Sequence, residues 1–189
     1  MAKWWLGVAA IGVGAVLYNL DAITGQWKFD RLCKDEGGPR FYAPVERDVG
    51  WEVEGQDVYD YRWPFVFDHV SFVRYQDKHG VRSDVRASER LLGAEPKYTF
   101  SPVDEGQPVR YTLRYSNRAL LDDDRFFKAE TQIIEKATGK VLASFTAFSY
   151  RWAKPERVIL AAPTAVQCWV QQAQVNQFDR DIYTLGRKQ

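Results

Sequence analysis

The stretch PVRYTLRYSNR, residues 108–118, alternates between apolar and polar side chains. In an extended chain Val109, Tyr111, Leu113 and Tyr115 lie on one side, and the polar residues between them lie on the other. This period of two predicts a β-strand with one buried face and one solvated face. The sequence therefore predicts a sheet that is exposed on one side, as antiparallel sheets commonly are.

Neighbouring stretches extend the pattern to further strands. Residues 126–152 indicate two strands joined by a turn at Ala137–Lys140. Residues 62–88 form a long β-type run, rich in Phe and Val, whose alternation changes phase near Asp68 and His69. A bulge or corner is expected there. Together these segments predict an antiparallel meander of about five or six strands.

The C-terminal part of the chain has a different period. Thr164 is a suitable N-cap, and Val166, Trp169, Val170 and Ala173 follow it at helical spacing. We expect a helix of about a dozen residues that lies across the open face of the sheet. The predicted fold class is therefore α+β, with one antiparallel-sheet domain packed with a C-terminal helix.

The N-terminus carries no charge from Trp4 to Leu20. As a helix this run would rise roughly 25 Å, slightly less than the hydrocarbon thickness of about 30 Å, and aromatic residues stand at both of its ends. We predict a transmembrane anchor over residues 1–25 and a soluble domain over residues 26–189; a cleaved signal peptide is the alternative. Basic residues beyond the anchor oppose export of the domain, but long domains translocate largely regardless of charge, so we expect it outside the cytoplasm.

Small residues recur along the predicted anchor. Gly7, Ala10 and Gly14 share one helical face, and such faces permit close approach between helices in lipid. The general abundance of Gly and Ala in membrane helices is the alternative explanation. If the face is used, the protein has a membrane protein partner, and residues 4–20 contact the lipid bilayer.

Composition and charge exclude several classes of function. Apart from Lys3 the chain carries 25 basic and 25 acidic residues, so it lacks the basic excess of a nucleic-acid-binding protein. Two histidines and two cysteines at these positions give no metal-site spacing. The sequence also lacks glycine-rich phosphate loops and a nucleophile elbow. We therefore expect no cofactor, no metal site and no catalytic activity.

Three polar groupings have structural interpretations. Asp68 and His69 are adjacent, so in a strand they point to opposite faces and do not form a catalytic pair. The carboxylates at 122–124 lack the alternating ligands of a calcium loop and indicate a solvated turn. Arg110 and Arg114, with a third arginine beyond them, are candidates for binding an anion or a lipid headgroup. Pairing with acids on a neighbouring strand is the preferred interpretation.

The two cysteines give the sharpest prediction. Cys33 lies on a predicted short helix, residues 27–36, which the glycines at 37–38 should end. The residues before Cys33 do not fit a lipid-attachment site. Outside the cytoplasm two cysteines tend to pair, so we predict a Cys33–Cys168 disulfide that ties the membrane-proximal helix to the C-terminal helix. Two free buried thiols in a cytoplasmic chain are the alternative.

The run LCKDEGG at 32–38, followed by the aromatic pair FY at 41–42, resembles a segment of small bacterial exported or membrane-anchored proteins of unassigned activity. The resemblance implies a bacterial envelope protein. We expect a non-enzymatic accessory or scaffold subunit of a larger membrane assembly, single-pass anchored in the inner membrane, with its domain on the periplasmic side. A membrane-tethered binding domain for a small apolar or aromatic ligand is the alternative.

Overall fold

The structure, a computed structural model of the chain, contains a long α-helix, a short 3₁₀ helix and nine strands in the part it describes. Helix α1 covers residues 22–36. The strands are β1 Gly38–Phe41, β2 Val49–Gly55, β3 Val70–Gln76, β4 Arg82–Ala87, β5 Tyr98–Pro102, β6 Val109–Leu120, β7 Asp123–Glu135, β8 Val141–Arg151 and β9 Ala165–Gln167. The described residues are 20, 22–55, 61–88, 96–120, 123–151, 165–168, 178 and 181–184.

Within these residues the strands form one mixed sheet. Eight of them follow the order β1-β8-β7-β6-β2-β3-β4-β5, and β9 pairs with β8. β2 runs parallel to both of its neighbours, β3 and β6. The pairs β3–β4, β4–β5, β1–β8 and β8–β9 are antiparallel. The predicted antiparallel meander is therefore wrong, because β2 is inserted between strands that follow it in the chain.

The sequence of β2 shows which of its faces is buried. Trp51 and Val53 alternate with Glu52 and Glu54, and Trp51 is fully buried. A parallel neighbour requires a connection of about a dozen residues or more, and residues 56–69 provide one between β2 and β3. Alternation in the sequence identifies the buried face of β2, but its parallel pairing depends on this long connection.

The chain divides into two compact units. The first takes the described residues within Met1–Gly37, Arg118–Lys128 and Ala147–Trp169, and the second takes those within Gly38–Asn117, Ala129–Thr146 and Val170–Gln189. The buried cluster of the first unit consists of Phe29, Phe126, Phe148 and Tyr150. Each unit thus has a hydrophobic cluster of its own.

The core of the second unit is built from large aromatic side chains on one face of the sheet. Trp51 and Tyr111 are buried in register on β2 and β6, with ring centroids 5.5 Å apart. Phe67 stacks on Trp51 at 5.5 Å, and Phe178 packs against Phe67 at 5.9 Å. Such ring pairs add to the stability that burial already provides. Among the described residues this face is covered by packed side chains.

The long β-type run predicted over residues 62–88 begins instead with the 3₁₀ helix Trp63–Val66. Pro64 occupies its first turn, where a missing N–H does no harm, and Phe65 is buried against Val73 and Val85. The corner expected at residues 68–69 is present, and β3 begins directly after it. The prediction failed before the corner because a short apolar run suits a strand and a buried helical turn equally well.

The predicted α+β class, with an N-terminal transmembrane helix and a C-terminal covering helix, is wrong. Ala165–Gln167, which would form the first turn of the predicted C-terminal helix, is the strand β9 and pairs with β8. Three residues are too few for periodicity to separate a helix from a strand; residues 169–177 lie outside the described residues. No helix in the described part of the chain is long and apolar enough to cross a membrane.

Two local predictions are confirmed. β7 and β8 are consecutive neighbours joined by the turn at residues 136–140. Helix α1 ends at residue 36, where the N–H of Gly37 donates to the carbonyls of Leu32 and Cys33. Gly38 follows with φ +93°, a left-handed conformation that glycine adopts without a steric penalty.

Candidate functional site

Helix α1 packs within the first unit through Gly25 and Phe29. Phe29 is buried and its ring stacks on Tyr150, with centroids 6.1 Å apart, and Tyr150 stacks on Phe126 at 4.6 Å. Any side chain at Gly25 would collide with the ring of Tyr150. The ammonium of Lys28 lies 5.0 Å from the centroid of Phe126, a cation–π contact. One face of the helix is therefore held inward.

A disulfide holds the C-terminal end of the same helix. Cys33 and Cys168 are bonded, with Cα atoms 5.6 Å apart, and the N–H of Cys168 donates to the carbonyl of Phe148 at 2.9 Å. The predicted disulfide is thus present, but Cys168 follows the strand β9 and not a helical turn. Disulfides persist in oxidising compartments, so this bond is consistent with a domain outside the cytoplasm.

The outward side of α1 carries Ile23 and Trp27. The helical residue Leu20, two residues before α1, stands at the same spacing, and we call these three apolar residues the helix stripe. Steps of three and four residues bring them to one side of the helix. Trp27 is 70% exposed, Leu20 42% and Ile23 40%. Scattered exposed apolar residues are ordinary, but these three are aligned and include a tryptophan, which makes the helix stripe the candidate functional site.

Beyond Trp27 the helix carries three basic and three acidic residues, which are Lys28, Arg31, Lys34, Asp30, Asp35 and Glu36. Arg31, with 85% of its side chain exposed, lies four residues after Trp27, and Lys34 lies three residues further. The contact of Arg31 with Asp35 measures 3.4 Å, and exposed pairs of this kind contribute little to stability.

The predicted membrane helix-packing face lies outside the described residues. It consists of Gly7, Ala10 and Gly14, and it stays a prediction. The uncharged run Trp4–Leu20 ends at the first residue of the helix stripe. The apolar segment read from the sequence and the apolar surface seen in the structure therefore adjoin in the chain.

His69 pairs with Asp48 and not with its neighbour Asp68. Its Nδ1 lies 3.6 Å from an Asp48 carboxylate oxygen, and the N–H of Asp48 donates to the carbonyl of His69 at 2.7 Å. Both residues have positive φ, +58° and +66°, which few non-glycine residues adopt. Tyr183 donates its hydroxyl to the carbonyl of Asp68, and burial raises the pKa of that hydroxyl above its ordinary value.

These contacts join the residues just before β2 to those just before β3. The parallel pair begins immediately afterwards, with Val49 opposite Val70. The side chains of His69 and Asp48 are exposed, and their polar atoms lie beyond hydrogen-bond distance of each other. They therefore lack the buried, short-bonded geometry of a catalytic dyad. The contacts of Asp48, His69 and Tyr183 are best explained as fixing the position at which the parallel pair β2–β3 begins.

The arginines considered for an anionic groove are paired with acids. Arg110 lies 3.1 Å from Glu46 and 3.2 Å from Glu135, and Arg114 lies 2.8 Å from Glu54. The acids lie on neighbouring strands or loops, so the pairing preferred in the sequence analysis is confirmed for Arg110 and Arg114. In the part of the chain that the structure describes, no group of His, Cys, Asp and Glu residues could hold a metal ion.

Sequence reasoning missed the buried ion pair Arg74–Asp84. The guanidinium binds the carboxylate through two bonds of 2.8 and 3.0 Å, and the N–H of Asp104 also donates to it at 3.0 Å. Burial by itself would raise the pKa of Asp84, but the bonds from Arg74 and Asp104 hold it below its ordinary value. Arg74 and Asp84 are equally far from the turn at residues 77–81, so they face each other in the β3–β4 hairpin. This register was the signal in the sequence that could have revealed the pair.

The comparisons with known proteins leave the functional question to the structure. The chain matches no family model, no curated protein and no solved structure.

Proposed function

We propose that the protein is a non-enzymatic accessory or scaffold subunit of a membrane assembly, and that it docks on a membrane-embedded partner subunit through the helix stripe. The observation that carries this proposal is the exposed indole of Trp27 on the outward side of α1. Tryptophan is among the residues most enriched at the centres of protein interfaces. An apolar surface on this side suits a partner that is itself apolar.

The contacts that hold the inward side of α1 favour docking through the helix stripe. The opposite side of α1 is held by the stacked ring of Phe29 and by the Cys33–Cys168 disulfide. A helix that is already ordered loses little conformational entropy when it binds, so more of the contact energy appears as affinity. Burying one aromatic anchor of this kind typically contributes about 2 kcal/mol or more to binding.

The disulfide supports a place at the outer side of a bacterial inner membrane. Periplasmic proteins keep their disulfides. The alternative, a binding domain for a small apolar ligand, is not favoured, because packed aromatic side chains cover the apolar face of the second unit. Native purification and site-directed crosslinking separate the two proposals.

The test places a photo-crosslinking amino acid at Ile23 in cells and extracts the full chain in mild detergent. We expect one adduct with a membrane-integral protein at constant stoichiometry, identified by mass spectrometry. Trp27→Ser should abolish the adduct and the co-purification. The matched control is Tyr42→Ser, which removes an aromatic side chain that is 56% exposed elsewhere on the surface and should leave both unchanged.

Two results would contradict the proposal. One is a chain that purifies without a second kind of subunit and crosslinks only to lipid. The other is an adduct that survives Trp27→Ser while near-ultraviolet circular dichroism shows an unchanged fold.

A further inference from the structure

The Cys33–Cys168 disulfide lies at the rim of the buried cluster of the first unit. Both cysteines pack against that cluster, yet each residue keeps part of its surface exposed. The residues beside them in the chain, Lys34 and Gln167, are exposed. A thiol from solvent therefore has a route to the bond in the folded protein, and exposed disulfides are the ones that exchange most readily.

The two elements that the bond joins have few other restraints close to it among the described residues. β9 has only three residues, and it pairs with β8 alone. The inward contacts of α1 are made by Gly25 and Phe29, at least one turn before Cys33, and by Leu32 beside it. A disulfide stabilises mainly by restricting the unfolded chain. Opening this bond therefore frees the last turn of α1 and β9 from each other and leaves the buried clusters in place.

We propose that the Cys33–Cys168 bond is a reversible link that a dithiol protein reduces, and that the reduced chain docks more weakly through the helix stripe. This control rests on the proposed function, because it regulates the same site. A helix whose end is held has little freedom left to lose on binding. A helix whose end is free must be ordered by the partner, and the cost of ordering is subtracted from the affinity.

The reduction is a thiol–disulfide exchange in two steps. A thiolate of the donor attacks the Sγ of Cys33, forms a mixed disulfide with it and expels the Sγ of Cys168 as a thiolate. We expect this order because Cys33 lies in the last turn of α1, where the partial negative charge of the helix end disfavours a thiolate. The second thiolate of the donor then attacks the donor sulfur and expels Cys33. The donor loses two electrons and becomes a disulfide, and its two thiol protons pass to Cys33 and Cys168.

The coupling between the redox state and docking is reciprocal. If reduction weakens docking by a given factor, docking makes the bond harder to reduce by the same factor. We expect a factor of about ten or more, equivalent to at least about 1.4 kcal/mol. This is the order of the cost of ordering the backbone of a single residue.

The first test is made on the full chain in mild detergent. It is treated with dithiothreitol without denaturant, free thiols are counted by alkylation and mass spectrometry, and the fold is followed by tryptophan fluorescence. The chain has two cysteines and both are in this bond, so the count reports on it alone. We expect full reduction with an unchanged emission spectrum. A bond that resists dithiothreitol until guanidinium is added, or a chain that unfolds on reduction, overturns the inference.

A trapping experiment checks the order of attack. The probe is a thioredoxin-fold protein that keeps its attacking cysteine and has its second cysteine replaced by serine. It should be captured as a mixed disulfide on Cys33, with Cys168 free to be alkylated, and peptide mapping by mass spectrometry distinguishes the two positions. Capture on Cys168 would overturn the proposed order.

The last test joins the redox state to docking. Membranes from cells that carry the photo-crosslinking amino acid at Ile23 are equilibrated with or without dithiothreitol and then irradiated. The yield of the adduct with the membrane-integral partner should fall about ten-fold on reduction. The matched control is the double variant Cys33→Ala, Cys168→Ala, whose yield should be low in both conditions. A yield that still depends on dithiothreitol in this variant would assign the effect to the partner and overturn the inference.

The remaining outcomes separate this control from the proposed function. An equal yield of adduct from the oxidised and the reduced chain overturns the redox control and leaves docking through the helix stripe standing. The absence of an adduct from both forms overturns the proposed function and the control together.

Discussion

Loss of the Cys33–Cys168 disulfide should lower the free energy of unfolding more than any single surface substitution. The bond closes a loop with a sequence separation of 135 residues. In the loop-entropy relation, removing the link returns to the unfolded chain an entropy of about 2.1 + 1.5R ln 135, or about 17 cal/mol/K. At 25 °C this is about 5 kcal/mol. Because measured losses run from about 2 to 5 kcal/mol, we expect about 3–5 kcal/mol.

The assay is guanidinium unfolding followed by tryptophan fluorescence, on three forms of the full chain. The forms are the oxidised chain, the same chain kept reduced, and the double variant Cys33→Ala, Cys168→Ala. The reduced chain keeps both sulfur atoms, so its difference from the double variant measures packing alone. The denaturant slope should rise when the link is absent, because the unfolded state then expands and exposes more surface.

A reduced chain within about 1 kcal/mol of the oxidised chain would refute this reasoning. Thiol titration must show both cysteines reduced for the comparison to count. If the reduced chain and the double variant lose equal free energy of unfolding, the whole effect comes from the disulfide link. A larger loss in the double variant would attribute the excess to the packing of Cys33 and Cys168 against the buried cluster of the first unit.

Three further predictions concern single positions. Asp84→Asn should lower the free energy of unfolding by about 3–5 kcal/mol, because it leaves Arg74 buried without its carboxylate. The pKa of Asp84 is lowered in the fold, so the pair stabilises the folded state fully above about pH 4. This contribution is lost as the pH falls through the lowered pKa. If acid unfolding curves of the variant and the native chain run parallel, this prediction is wrong. Gly25→Leu should lower the free energy of unfolding by about 1–3 kcal/mol by forcing Tyr150 aside, and unchanged thermal unfolding would show that α1 sits elsewhere. Asp48→Val should lower it by about 1–2 kcal/mol because of the positive φ, whereas Asp48→Gly should change it by less than about 0.5 kcal/mol; equal effects would show that the backbone strain is absent.

Features that depend on local periodicity or on composition could be predicted. The alternation at residues 108–118 predicted β6, the turn residues 137–140 predicted the β7–β8 hairpin, and the glycines at 37–38 predicted the end of α1. The disulfide was predictable because only two cysteines were available to pair. Each of these inferences uses residues close in sequence, or residues of one rare type.

The candidate site was only partly predictable. The sequence predicted a helix over residues 27–36, but α1 includes an earlier turn and a half, which carry Ile23 and align it with Trp27. Helical spacing shows which side chains share a side, but only the packed structure shows which side faces inward.

The sequence by itself determined the strands with clear alternation, the hairpin, the helix end and the pairing of the cysteines. Only the tertiary structure decided that β2 lies between β3 and β6, that Trp63–Val66 is a 3₁₀ turn, and that Ala165–Gln167 is a strand. The physical reason is the same in each case. A period of two reveals which face of a strand is buried, whereas its neighbours are chosen by contacts between residues far apart in the chain.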